Sequence, residues 1–179
     1  MMTKKEIRMQ VKELFKTRRS DELIAASLGI CDSICNRVAA LGKPNSVILL
    51  YWSLPDEVQV SAVVEKLFRA GHTVLLPVVL GETMVLKKYC GHESLVVGPF
   101  GILQPVGDNF EDFDAIDLAF VPGRAFTTDG CRIGRGNGYY DRLLPSIKSP
   151  KVGICYQFQI VDEIPMDLFD VKLDDVIWG

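Results

Sequence analysis

Residues Gly130 to Leu144 read GCRIGRGNGYYDRLL, and they concentrate the groups that could do chemistry. Glycines at 130, 134, 136 and 138 alternate with Arg132 and Arg135, and Asp141 follows a pair of tyrosines. Glycine lets a backbone take positive φ and lets a ligand approach its peptide groups closely. A run of N–H groups that ends at a helix N-terminus forms an anion site. Arginine adds a planar fork of donors that fits phosphate or carboxylate. A carboxylate one short step away can hold a hard cation such as Mg2+. These parts together predict a polyphosphate site with its metal. The loop is not a Walker A motif, because no Gly-Lys-Ser/Thr closes it. Nor is it a dinucleotide fingerprint, because Tyr139 stands where the third glycine belongs. A glycine-rich loop can also be a plain flexible turn. Against that, the arginines among the glycines have little packing to do, and the loop follows a strongly apolar run, Ile116 to Val121. Tyr139, Tyr140, Leu143 and Leu144 then have the spacing of a short amphipathic helix, which Pro145 ends.

The elements that must position this loop follow from periodicity. Residues 3 to about 18 predict an amphipathic helix with Ile7, Val11, Leu14 and Phe15 inward. Lys4, Arg8 and Lys12 form a separate basic row on it. Cations at a helix N-terminus oppose its dipole, so some of them are expected to face an anion supplied from elsewhere. Ser20 is read as the N-cap of a second helix to about Ala40, with Ile24, Leu28, Cys31, Cys35 and Val38 on its inward face. Ser46 to Trp52 reads as a strand buried on both faces. Ser53 to Asp56 fits a capping box that starts a third helix running to about Arg69. Glu57 then stands where a strand end meets a helix start, the edge that holds ligands in open α/β sheets. Thr73 to Val79 is a further strand that Pro77 would make leave the sheet. Met84 to Tyr89 is a shorter strand, and residues 90 to 112 form a loop-rich excursion. Ile116 to Val121 is the central strand, Val152 to Tyr156 another, and Asp167 to Ile177 holds further strand contacts. Strands alternating with helices predict an α/β fold with a mostly parallel central sheet covered on both faces.

The 179 residues fit one domain, 1–179, and a hydrophobic share of 48% suffices for a packed core. The net charge of −3 leaves no nucleic-acid footprint. No secretory signal or membrane-length apolar run occurs. Five cysteines without a CxxC pair argue against a disulfide framework or zinc site and for a cytoplasmic protein. The two histidines, His72 and His92, lie in glycine contexts and are expected on the surface.

The stretch VPGRAFTTDGCRIGRGNGYYDRLL resembles the signature of the 5-formyltetrahydrofolate cyclo-ligase family, roughly Pro-Gly-x-x-Phe-Asp-x-x-Gly-x-Arg-x-Gly-x-Gly-x-Gly-Tyr-Tyr-Asp. The similarity extends over nearly the whole chain. It implies a three-layer α/β/α sandwich similar to the ribose-5-phosphate isomerase and CoA-transferase group. It also implies ATP-dependent conversion of 5-formyltetrahydrofolate to 5,10-methenyltetrahydrofolate, with ADP and phosphate released. The formyl oxygen would be phosphorylated to an imino-phosphate, and N10 would close the ring as phosphate departs. KKEIR resembles the family's basic start and implies nucleotide contacts for Lys4 and Arg8. YWSLPDEV resembles its folate-binding segment, implying substrate contacts at Trp52 and Glu57. The loop implies ATP contacts from Arg132, Gly134, Arg135, Gly136, Asn137, Gly138, Tyr139 and Tyr140. Arg135 and Tyr139 would also touch the folate, and Arg132, Arg135 and Tyr140 would carry the catalytic work. Asp141 and, from FDVKLDDV, Asp170 are implied as Mg2+ ligands. The partners implied are small molecules, reduced folate and ATP, with no nucleic acid or membrane, and a monomer is expected.

Three positions depart from the pattern: Thr127 replaces the usual aspartate, Arg124 a small or apolar residue, and Asn137 a glycine or lysine. The first two bear on substrate fit. Two other readings stay open. One is a sugar-phosphate isomerase-like enzyme, with a phosphate site but no paired metal carboxylates. The other is a nucleotide- or folate-binding module without turnover.

Overall fold

The computed structural model describes residues 2–98 and 101–179. Six strands form the central sheet in the order β10-β9-β6-β1-β2-β3. These are β1 (Val47–Leu49), β2 (Thr73–Leu80), β3 (Thr83–Lys88), β6 (Leu118–Pro122), β9 (Lys151–Cys155) and β10 (Asp175–Trp178). All neighbours are parallel except β2 and β3, a hairpin. The excursion after β3 folds into a two-stranded sheet of β4 (Leu95–Val97) and β5 (Leu103–Pro105). A second small pair, β7 (Ala125–Phe126) and β8 (Arg132–Ile133), leads into the glycine-rich loop.

Continuous apolar strands are buried on both faces because successive side chains alternate. Ile48, Val74, Leu118 and Phe120 point to one core, against Ile30 and Ile34 of α2 (Ser20–Ala39) and Val63, Val64 and Leu67 of α3 (Ser61–Arg69). Leu49, Leu75, Ala119 and Val121 point to the other, against Phe126 and Leu143 and Leu144. The second face is covered by α4 (Tyr139–Leu143), short helical turns and loops, so this layer is thin. The expected sheet flanked by helices is therefore present. Helix α1 (Lys4–Lys16) starts with a capping box between Thr3 and Glu6. Its Ile7 and Val11 pack on Ala125 and Ile133 beside the glycine-rich loop.

Three local readings need correction. The buried stripe of α2 is Ser27, Ile30, Ile34 and Val38, while Ile24 and Leu28 are 60% and 63% exposed. The helix is turned so that Ser27 Oγ meets the Tyr156 hydroxyl at 2.9 Å and accepts the Gln59 N–H. Its first residue is Ser20, and Arg19 occupies the N-cap. Residues 53–60 are not helical: Ser53 Oγ donates to Val58 O and accepts from Val60 N, and the Glu57 carboxylate accepts the Leu54 N–H. These short side-chain bonds satisfy the backbone locally and compete with a helix. Finally, Pro77 stays inside β2, paired with Leu86. The neighbouring Val74 O accepts from Tyr89, so even-numbered residues of β2 bond β3 and the nitrogen of Pro77 faces the β1 side. There β1 has already ended at Leu49, and no ladder bond is lost.

Candidate functional site

Two cavities open at the carboxyl ends of β1 and β6, on either side of the glycine-rich loop. One, of about 440 Å³, is lined largely by apolar and aromatic groups, among them Tyr51, Trp52, Met84, Tyr139 and Tyr140, and by the charged Glu57 and Arg135. The other, of about 830 Å³, is lined by Lys4, Arg8, Arg142, Asp167 and Asp170 and by Gly136. Arg132, Gly134, Gly138 and Asp141 line both.

The basic cavity is assembled from chain ends. Lys4, at the start of α1, pairs with Asp167 at 2.6 Å and with Asp170. One turn on, Arg8 Nε donates to the Gly134 carbonyl at 2.8 Å. Lys12, third in the basic row, remains exposed. Asp170 Oδ2 also accepts the Asp167 N–H. Burial alone would raise the Asp170 carboxyl, but that N–H and Lys4 hold it below its ordinary value.

Arg132 separates the two cavities. Its side chain is only 2% exposed. Nη2 donates to Asp141 Oδ1 at 2.9 Å and Nη1 to the Pro122 carbonyl at 3.3 Å. The guanidinium lies 5.5 Å from the Tyr140 ring centroid. Arg132 Nε is buried and has no partner among the described residues. Such a donor is available to an acceptor that enters from outside the chain. Burial raises the Tyr140 phenol far above its ordinary range, so its hydroxyl stays protonated and gives no phenolate base. The loop enters α4 through Gly138, whose φ of 66° is left-handed and suits glycine.

Arg135 turns away from Lys4 and Arg8. Its Nε and Nη2 donate to Glu57 Oε1 at 3.2 and 3.0 Å, and Nη2 also meets Asp56. Burial would lower its pKa, but Asp56 and Glu57 keep it above the usual value. Of the residues implied as ATP contacts, Arg135, Asn137, Tyr139 and Tyr140 thus line the aromatic cavity and not the basic one. All four residues implied for the folate, Trp52, Glu57, Arg135 and Tyr139, line that aromatic cavity together.

Asp141 and Asp170 face one cavity although they are far apart along the chain. Among the described residues no three His, Cys, Asp or Glu side chains gather to hold a metal alone. Asp141 and Asp170, paired with Arg132 and Lys4, are of the donor type that fits Mg2+, which commonly takes one or two carboxylates and completes its shell with other oxygens and water.

Sequence reasoning missed Arg142, Asp167 and the charge of Asp56, and it marked Arg124 only as a departure bearing on substrate fit. Arg142 bonds the Asn137 and Glu82 carbonyls and reaches the basic cavity. Asp56 joins Arg124 at 2.5 Å to Arg135. The only available signal was charge next to known motif positions. Thr127, a departure from the pattern, is buried inside a turn, where its Oγ1 accepts the Cys131 N–H and donates to Asp129. It lines neither cavity. His92 is exposed as expected, but His72 is half-buried and its Nδ1 accepts the Ser46 N–H.

Fold and site first define a class: an α/β protein with cavities at the carboxyl edge of a mostly parallel sheet, the edge where such folds hold ligands, and with a guanidinium between an aromatic and a basic compartment. The particular family follows from comparison. The model of the 5-formyltetrahydrofolate cyclo-ligase family matches residues 1–179, and the chain belongs to that family. A probable 5-formyltetrahydrofolate cyclo-ligase of Schizosaccharomyces pombe is 32% identical over 81% of each chain. The 5-formyltetrahydrofolate cyclo-ligase of Mus musculus is 28% identical over 98% of this chain and 93% of its own. The 5,10-methenyltetrahydrofolate synthetase of Aquifex aeolicus superposes with a TM-score of 0.84 at 31% identity, covering 99% of this chain and 90% of that one. Among the described residues no helix is long and apolar enough to cross a membrane.

Proposed function

We propose that the chain converts 5-formyltetrahydrofolate to 5,10-methenyltetrahydrofolate with ATP and Mg2+, releasing ADP and phosphate. Family membership supports the activity. The division of chemistry between two cavities that share Arg132 supports how it is done.

A formyl oxygen is a poor leaving group, and ATP supplies the phosphoryl group that makes it a good one while Mg2+ offsets the charge. Phosphoryl transfer is catalysed by positioning and electrostatics, so no protein nucleophile is needed. Trp52, Tyr139 and Met84 give the folate ring apolar walls, and Glu57 offers it an acceptor. Lys4, Arg8 and the loop backbone receive the phosphates, and Asp141 and Asp170 would hold the cation. The observation that carries this reading is the buried, partly unpartnered Arg132 at the border, where a developing charge between the ligands would lie.

The test mixes the purified chain with 5-formyltetrahydrofolate, ATP and Mg2+ and follows the near-ultraviolet absorbance of methenyltetrahydrofolate. Product that requires both ATP and Mg2+ is the expected result. Phosphate binding without ATP use would point to the isomerase-like reading. Nucleotide or folate binding without product would leave a binding module.

A further inference from the structure

Arg124 and Asp56 line neither cavity, yet Arg124 is tied through Asp56 to Arg135. Three separate segments meet here: the turn after β6, the irregular 53–60 segment and the glycine-rich loop. Arg124 Nη1 binds Asp56 Oδ2 at 2.5 Å, and the other oxygen of Asp56 meets Arg135 Nη2. Arg135 in turn binds Glu57 Oε1 on the wall of the aromatic cavity. The four charges alternate, Arg124–Asp56–Arg135–Glu57. Arg124 and Asp56 are largely sheltered, with side chains 19% and 34% exposed, so solvent screens their pair only partly.

Asp56 and Glu57 compete for one guanidinium. A carboxylate with a free edge takes an arginine by two parallel bonds. Arg124 on Oδ2 disfavours that two-bond grip of Asp56 on Arg135. We infer that Arg124 is a positioning residue for the folate side of the site: by occupying half of Asp56 it leaves Arg135 on Glu57 and keeps both at the aromatic cavity. This rests on the proposed function. It gives a role to the arginine that departs from the family pattern.

The inference makes an asymmetric prediction. Loss of Arg124 frees Asp56 to draw Arg135 off Glu57, whereas loss of the Asp56 charge removes the competitor. If the network were only scaffold, Asp56→Asn, which disturbs the bonds to both Arg124 and Arg135, would do at least as much harm as Arg124→Ala, and the double variant would not recover. The experiment measures KM for 5-formyltetrahydrofolate, KM for ATP and kcat in the wild type, Arg124→Ala, Asp56→Asn and the double variant. Quenching of tryptophan fluorescence by the folate, read in a Trp178→Phe background so that Trp52 alone reports, gives a readout apart from turnover, and Arg124→Lys stands in if the alanine variant does not fold, with a smaller rise expected. Arg124→Ala is expected to raise the folate KM about tenfold, the scale of one charge-assisted hydrogen bond, with the ATP KM unchanged. Asp56→Asn is expected to raise it far less, and adding Asp56→Asn to Arg124→Ala to restore it. Equal harm from both single variants, no rescue in the double variant, or a matching rise in the ATP KM would overturn the inference while leaving the ligase reading standing. A wild-type chain that makes no product would overturn the ligase reading and this inference with it.

Discussion

Lys4 and Asp170 stand 166 residues apart in sequence and form one ion pair at the edge of the basic cavity. The pair ties the start of α1 to the segment before β10, and both ends of the chain thereby reach the glycine-rich loop.

Acid should loosen that tie. The Asp170 carboxyl is held below its ordinary 3.8 in the folded state. A carboxyl lowered by folding stabilises the fold above its unfolded value, and the stabilisation is lost as pH falls through the folded one. Urea midpoints of the wild type are expected to fall as the pH drops below about 4, and those of Asp170→Asn to fall less steeply. Parallel slopes would show that this carboxylate does not contribute.

Arg132→Lys keeps the charge and loses the fork that spans Asp141 and Pro122. A lysine cannot reproduce both bonds in that geometry. kcat/KM is expected to fall by about 1.5–3 kcal/mol in transition-state terms, or roughly tenfold or more. Steady-state kinetics check it, and a rise in folate KM with kcat unchanged would place the arginine in ground-state binding and not at the reacting atoms.

The cavities should separate Arg135 from Arg8. Arg135→Ala is expected to raise the folate KM and Arg8→Ala the ATP KM, each by about tenfold. Isothermal titration with each ligand singly would show it. Identical ligand profiles for the two variants would contradict the partition.

Asp141→Asn should shift the Mg2+ dependence of turnover to higher concentration, because a hard anionic oxygen is replaced by an amide. A Mg2+ titration at saturating ATP reads this directly, with circular dichroism to confirm that the variant is folded. An unchanged curve would remove Asp141 from the metal.

Gly130→Ala tests the turn that carries the loop. The added Cβ would lie 2.2 Å from the Leu173 carbonyl oxygen, at a φ of 97°. The two backbones cannot part freely, because Leu173 N–H donates to Gly130 O. A loss of about 1–3 kcal/mol in denaturant unfolding is expected, and an unaltered midpoint would show that the turn yields.

Much of this protein is written in short-range pattern. The apolar runs at 46–52, 73–79, 116–121 and 152–156 mark sheet strands because a strand covered on both faces leaves no room for polar alternation. The spacing of glycine, arginine and aspartate in 130–141 marks the family and the expected anion site, since backbone freedom and donor type are properties of the residues themselves. Tertiary structure decided the rest. It turned α2 by a residue to bring Ser27 to Tyr156, and it kept 53–60 out of helix through bonds from Ser53 and Glu57. It also sent Arg135 to Glu57 while Lys4 and Arg8 stayed with the basic cavity. A guanidinium's direction depends on which carboxylates the fold brings near, and Asp56 and Arg124 come near only once β6, the loop and the 53–60 segment have met. Periodicity reports the face a residue prefers, and only long-range packing and charge pairing settle what it touches.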